Sequence, residues 1–172
     1  MSRVCFIPFR SKTSLIFLGH LHHTSLLDLF SNFDRLTPLL TAKATRDEPS
    51  RVIITASVAG IGVGTVGDNA TPSYSASKAA AIHLAKNLAV ELGPRHILTN
   101  AIEPGFFPSK MASGLIELKG GLKELEEFSP SGRLGRPEDI AGLVVFLGSR
   151  AGSHLNGAVI ATDGGAVLKG RL

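Results

Sequence analysis

Arg51-Val52-Ile53-Ile54-Thr55-Ala56-Ser57 and, after a glycine-rich loop, Thr71-Pro72-Ser73-Tyr74-Ser75-Ala76-Ser77-Lys78 decide the fold of this chain. The first stretch is a short β-branched run ending in a hydroxyl, and it reads as a buried strand. The second opens a helix, because Thr71 is a good N-cap and Pro72 suits the first helical position. The periodicity predicts a helix to about Leu92, with Ala81, Leu84, Ala85, Leu88 and Leu92 on one apolar face. Gly93-Pro94 stops it. A second strand is expected from His96 to about Ile102, followed by Pro104-Gly105. Strand, helix and strand with short joins make a βαβ unit, whose strands run parallel with a right-handed crossover.

In open parallel sheets, ligands bind outside the carboxyl ends of the strands. Ser57 and Pro104-Gly105 stand at such ends, and Tyr74 opens the intervening helix. Tyr74 is the sole tyrosine and lies four residues before Lys78. Four residues are about one helical turn, so phenol and ammonium share a face. A nearby cation favours the phenolate, which makes Tyr74 a candidate proton donor or acceptor. A tyrosine and a lysine at this spacing also suit an ordinary solvated helix face. Three segments converging on one crevice favour the chemical reading.

Ser57, Tyr74-x-x-x-Lys78, Asn100-Ala101-Ile102-Glu103-Pro104-Gly105 and Asp163-Gly164-Gly165 together resemble the active-site half of a short-chain dehydrogenase/reductase. So does Gly132-Arg133-Leu134-Gly135-Arg136-Pro137-Glu138-Asp139, ahead of an apolar helix ending at Phe146-Leu147-Gly148. The resemblance covers about Thr24 to Leu168, in good register from Arg51 onward. Pro104-Gly105-Phe106-Phe107-Pro108-Ser109-Lys110-Met111 is most similar to 3-oxoacyl-[acyl-carrier-protein] reductases of the rhamnolipid-biosynthesis type.

That resemblance implies an α/β fold, an incomplete doubly wound parallel sheet of the NAD(P)-binding Rossmann-like kind. Residues 24–172 would form the carboxyl-terminal part of that domain, and residues 1–23 an irregular or leader-like segment. The implied activity is an NAD(P)H-dependent oxidoreductase reducing a carbonyl, such as a 3-oxoacyl thioester, to an alcohol. Ser57, Tyr74 and Lys78 take the catalytic positions: Tyr74 gives the proton, Lys78 supports it, and Ser57 holds the carbonyl oxygen. Tyr74, Lys78, Pro104, Gly105, Phe107 and Ser109 would surround the cofactor, NADP or NAD, with NADP favoured by the subgroup. The helix Pro137–Gly148 and a strand from about Ala158 to Ala161 would build a homo-oligomer interface.

Departures from the family pattern matter as much. A pyrophosphate needs backbone N–H groups and a helix amino terminus after a glycine-rich turn. Nothing before Arg51 supplies this, since Gly19 is the sole glycine there. The amino-terminal βαβ cofactor half is therefore expected to be lacking, cofactor binding impaired, and the sheet left with an open edge. A non-catalytic remnant that associates with full-length family members is the alternative. Gly62-Val63-Gly64-Thr65-Val66-Gly67 fits G-x-G-x-x-G after a strand, but Asp68-Asn69-Ala70-Thr71-Pro72 delays the next helix too long to aim it at a phosphate. It reads as a loop. This loop exceeds the family's usual length, so Ser73 and Ser75 stand behind Ser57 as fallback hydroxyls. A helix from Thr24 through Leu40 carries Leu26, Leu29, Phe30, Phe33, Leu36 and Leu40 on one side, with Pro38 as a kink. Where the family's proton relay has an asparagine, the register places His22. Glu103 stands where a small residue is usual.

Other classes fit less well. His20, His22 and His23 lack further ligands at matching spacing, so no metal is expected. Ser75-x-x-Lys78 lacks the companion motifs of penicillin-binding enzymes, and Thr55-Ala56-Ser57-Val58-Ala59 is not a nucleophile elbow. Ser109 through Phe128, interrupted by Gly120-Gly121, reads either as a mobile lid or as a surface helix pair. Phe106, Phe107 and Met111 are expected to wall an acyl chain.

With 172 residues, 44% of them hydrophobic, the chain holds one domain with a real core. A net charge of +4 without a basic, aromatic-interleaved stripe argues against nucleic acid, and no apolar run is long enough to cross a bilayer as a helix. The expected partner is a small-molecule carbonyl or alcohol. A lone cysteine, Cys5, fits a reducing compartment, hence the cytoplasm. Arg3, Arg10 and Lys12 with no acid before Asp28 leave a mitochondrial leader as the alternative.

Overall fold

The computed structural model describes residues 4–8, 14–18, 26–63, 67, 70–109, 113–118 and 120–169. One five-stranded sheet organises them, with strands adjacent in chain order. β1 (Val4–Pro8) pairs antiparallel with β2 (Ser14–Leu18). β2, β3 (Ser50–Thr55), β4 (Ile97–Pro104) and β5 (Val159–Thr162) follow in parallel. The helices are α1 (Leu26–Thr41), α2 (Pro72–Leu92), α3 (Ser113–Leu118), α4 (Leu122–Phe128) and α5 (Pro137–Gly148).

Strand side chains alternate between faces, and the sheet is covered on both. Val52 and Ile54 of β3 and Ile97 and Ala101 of β4 join Phe33 and Leu40 of α1 and Leu84, Ala85, Leu88 and Leu92 of α2 in one core. Ile53 and Ile102 point the other way, onto Leu147, Ile140 and Val144 of α5. A smaller cluster of Ile116, Leu125 and Leu134 holds α3 against α4. The apolar face foreseen for α2 is the buried one, and α1 keeps Pro38 within a continuous helix.

Several local expectations are corrected. Residues 4–8 and 14–18, expected to be irregular, are strands: Val4-Cys5-Phe6-Ile7 and Leu15-Ile16-Phe17-Leu18 are apolar runs that pair and extend the sheet beyond β3. Thr71 makes no side-chain cap, so the start of α2 rests on Pro72 at its first position. Gly93 is helical, with φ of −52°, and continues into a 3₁₀ turn Gly93–Arg95; the left-handed residue is His96, with φ of 57°. β5 begins one residue later than expected. The histidines at 20, 22 and 23, Met111 and residues 64–66 lie outside the described residues.

Side chains sew the sheet in ways no local pattern announces. Asn100 on β4 donates from Nδ2 to Leu155 O and accepts at Oδ1 from the Ala158 amide, both at 2.9 Å, fastening β4 to the approach to β5. Asn156 accepts from the Thr99 amide and donates to Ala89 O, tying the same loop to α2. Arg51, 3% exposed on β3, donates Nε to Leu147 O at 3.2 Å and Nη2 to Ser149 O at 3.3 Å, and Nη1 reaches Pro49 O. Its cation thus meets the negative end of the α5 dipole rather than a carboxylate. Burial holds the guanidinium below its usual pKa. Arg51→Met is expected to cost about 2–3 kcal/mol, because the α5 carbonyls lose a charged donor. A urea midpoint lowered at constant slope would show it.

Candidate active site

Ser57 follows β3 after one intervening residue, Ala56, and caps a 3₁₀ turn, Val58–Gly60, with its Oγ accepting from the Ala59 amide at 3.2 Å. That turn lies hard against α2. A Cβ on Gly60 would stand 2.7 Å from Ala79 N and from Lys78 C, and 2.9 Å from Ile82 Cδ1. Only glycine lets the backbone after Ser57 approach the helix backbone at Lys78. Real Cβ atoms essentially never come within 3.0 Å of such neighbours. The serine and the lysine are therefore held in register by a contact between two backbones.

Lys78 is 5% exposed, although its neighbours Ser77 and Ala79 face solvent. Its Nζ reaches Thr55 O on β3 at 3.4 Å and lies 5.5 Å from the centroid of the Tyr74 ring. The first distance is at the long edge of hydrogen bonding, and the second is within cation–π range. Burial lowers the Lys78 pKa. With Thr55 O as its weak carbonyl partner among the described residues, a three-donor ammonium keeps capacity for oxygen atoms brought to the sheet rim. Tyr74 is half-buried one turn earlier. Sequence spacing placed Tyr74 and Lys78 on one helical face, and the fold adds the strand end that carries Ser57.

Pro104 and Gly105 reach the same rim, since Thr55 pairs with Ile102 and the Ala56 amide donates to Ile102 O at 2.9 Å. Gly105 has a packing reason of its own. A Cβ there would stand 2.6 Å from Asp163 Cβ and 2.9 Å from Asp163 Cα, and the Gly105 amide donates to Thr162 O. Asp163 in turn accepts from the Gly165 amide at 2.9 Å and the Val167 amide at 2.7 Å. The Asp163-Gly164-Gly165 motif thus organises the segment after β5 and presses it onto Gly105.

Phe107 lies with its ring over Gly135, where a Cβ would come within 2.3 Å of the ring. The Gly135 amide donates to Phe106 O at 3.0 Å. Phe106 is partly buried against Ile116, Leu125 and Leu134 of the α3–α4 core. Ser109 is exposed beyond the rim, and its carbonyl accepts from the Ser113 amide at the start of α3. Gly120 and Gly121 take φ of 87° and 98° and make the break between α3 and α4. Asp139 holds the neighbouring loop: it accepts from Arg133 at 2.7 and 2.9 Å and from the Arg136 amide at 2.8 Å, which brings its pKa down to about 2. A cavity of about 560 Å³ opens between Ala59–Val63 and Pro72, Ser75, Ala76 and Ala79; neither Tyr74 nor Lys78 lines it.

In sequence and fold the chain is similar to known proteins. Residues 17–167 match the family model described as Enoyl-(Acyl carrier protein) reductase. The chain belongs to the short-chain dehydrogenase/reductase family. It is 40% identical over 141 residues to a rhamnolipids biosynthesis 3-oxoacyl-[acyl-carrier-protein] reductase of Pseudomonas aeruginosa, covering 82% of this chain and 54% of that protein. It is 36% identical over 136 residues to a tropinone reductase homologue of Arabidopsis thaliana, covering 77% and 48%. Among solved structures, the Pseudomonas aeruginosa RhlG/NADP active-site complex superposes with a TM-score of 0.72 at 40% identity, over 82% of this chain and 56% of that one. The chain spans about half the length of the curated relatives it matches. Among the described residues, no helix is long and apolar enough to cross a membrane.

Among the described residues, those at the rim fit the nicotinamide end of a nicotinamide dinucleotide. Lys78, with spare donors at the rim, fits the nicotinamide ribose. Among the described residues, no glycine-rich turn opens a helix at the same rim on the β2 side. β1 runs antiparallel to β2 with Val4 opposite Leu18, so its carboxyl end points away from Ser57. A phosphate cradle after that strand would lie at the wrong end of the sheet.

Proposed function

We propose that this chain is the active-site portion of an NAD(P)H-dependent carbonyl reductase of the short-chain dehydrogenase/reductase family, acting on a small carbonyl of the 3-oxoacyl thioester class. One observation carries the reading: a buried lysine whose ammonium faces both the Ser57 strand, through Thr55 O, and the Tyr74 ring. The domain is residues 24–172, extended by the strands before it. NADP is the favoured nucleotide by resemblance to the 3-oxoacyl-[acyl-carrier-protein] reductase subgroup, and the RhlG complex compared above contains it. The cytoplasm is the favoured compartment, with the mitochondrion as alternative.

In this reading Ser57 donates a hydrogen bond to the substrate oxygen and holds it at the strand end. Tyr74 gives that oxygen its proton as negative charge develops there. Lys78, kept dry by α2 and β3, stabilises the phenolate left behind and orients the nucleotide ribose. The nucleotide, when bound, supplies the hydride. Pro104, Gly105, Phe107 and Ser109 border its nicotinamide end, and the Gly105–Asp163 contact keeps that border from drifting.

Affinity for the nucleotide is expected to be low. Missing even two charge-assisted hydrogen bonds of about 1.5–3 kcal/mol each weakens binding by roughly two to four orders of magnitude. Titration of the purified protein with NADPH, followed by nicotinamide fluorescence, tests this. Binding in the millimolar range with slow, carbonyl-dependent oxidation is the expected result. A folded protein that neither binds NADPH at any concentration nor oxidises it would move the reading to the alternative, a non-catalytic member that associates with longer relatives. That alternative draws on the antiparallel edge at β1 and on Val145 and Phe146 of α5, exposed by 54% and 42%. The same face would serve a homo-oligomer.

A further inference from the structure

Glu103 has no place in the proposed chemistry, yet its surroundings are the least ordinary in the sheet. It is 0% exposed, and neither carboxylate oxygen has a hydrogen-bond partner among the described residues. A buried acid without partners is costly when charged and far less so when neutral. Its position gives the charge state leverage. Glu103 is the last residue of β4 before Pro104 and Gly105, and it lies on the face of Ala101, toward α2, rather than that of Ile102.

Among the described residues, no cation pairs with it. α2, which covers this face, contributes Lys86, an exposed ammonium that acts on Glu103 from a distance, and the buried Lys78, whose Nζ lies toward Thr55 O and the Tyr74 ring. On the same face β3 brings Val52 and Ile54, and β5 brings Val159 and Ala161, which stands opposite Glu103. The described core residues of α1 here are Phe33, Leu36 and Leu40, and the turn Val58–Gly60 has no titratable side chain. The Ile160 amide approaches without closing a hydrogen bond.

We propose that the proton on Glu103 is a conformational switch for the carboxyl end of β4. With the carboxyl neutral, the strand end stays docked and Gly105–Ser109 holds its place at the rim. Ionised, the unpaired charge in a dry face favours an opened strand end that admits water. The switch depends on the geometry of β4 alone and not on the proposed reaction.

Its pH window follows from burial, which raises the carboxyl from an ordinary 4.5 to about 7 against the opposing pull of Lys86 and the Ile160 amide. A raised acid pKa means the folded state binds the proton more tightly than the opened or unfolded chain. Its contribution is therefore complete below pH about 4.5, declines as pH rises, and is gone above about 7.

Amide hydrogen exchange on the peptide spanning residues 101–109, corrected for the intrinsic pH dependence of exchange, reads the switch directly. Protection in the unmodified protein is expected to fall about tenfold or more between pH 5 and 8. Glu103→Gln, neutral and nearly isosteric, should show no such fall, and Lys86→Met should move the fall to higher pH by removing the ammonium that favours ionisation. If Glu103→Gln folds poorly, Glu103→Ala replaces it with the same expectation. Parallel pH profiles in the unmodified protein and the neutral variant would overturn the proposal, as would protection that does not change with pH in the unmodified protein.

Discussion

Tyr74→Phe is expected to lower carbonyl reduction by about 10²–10⁴-fold while leaving the fold intact. General acid catalysis by one positioned side chain is worth roughly that factor. The change removes a single oxygen from a half-buried ring on the first turn of α2. The ring would still lie near Lys78 Nζ, now 5.5 Å from its centroid, so the packing that positions the ammonium survives. The measurement is oxidation of NADPH at saturating nucleotide and carbonyl, alongside a thermal melt. A large fall in rate with a melting temperature changed by no more than about 2 °C supports Tyr74 as the proton donor. Equal rates would remove Tyr74 from the chemistry and the proposed function with it. Loss of rate and fold together would instead assign the hydroxyl a structural role.

Gly60→Ala carries the second large effect and acts without touching substrate. The added methyl would meet two backbone atoms of α2 at 2.7 Å, and a backbone cannot swing aside as a long side chain can. Overpacking of this kind costs about 1–3 kcal/mol. The strain falls on the turn that Ser57 caps, so Ser57 shifts relative to Lys78 and Tyr74. A misplacement of about 1 Å costs on the order of 10²-fold in rate. Gly114→Ala supplies the control, since a Cβ there meets nothing within 4 Å and the position is exposed on α3. The comparison is a urea melt and a rate for each variant. Indistinguishable results for the two glycines would show that the 3₁₀ turn yields easily and does not position Ser57.

Much of the site is local, and that part was readable from residue order. Tyr74 and Lys78 share a face because the helix repeats every 3.6 residues, wherever the helix is put. β3, α2, β4 and α5 were visible because each combines a long apolar period with a clear stop or start, such as Pro72 and Pro137. The strands at 4–8 and 14–18 escaped because five-residue apolar runs become strands only when a neighbour offers its hydrogen-bonding edge, and for β2 that neighbour is β3. Phe106 and Phe107 are adjacent and alike, yet one enters the α3–α4 core and the other rests on Gly135. Nothing in a pair of phenylalanines distinguishes those fates.

By itself, then, the order of residues determined the parallel βαβ frame, the tyrosine–lysine pair and the rim on which they stand, because periodicity and helix punctuation are properties of short segments. Tertiary structure alone decided that Gly60 locks Ser57 to α2, that Gly105 yields to Asp163, that Arg51 closes α5, and that Glu103 is sealed without a partner. Each of these is a contact between segments distant in the chain or a degree of burial. Both depend on which surfaces meet, and no local pattern of side chains encodes that meeting.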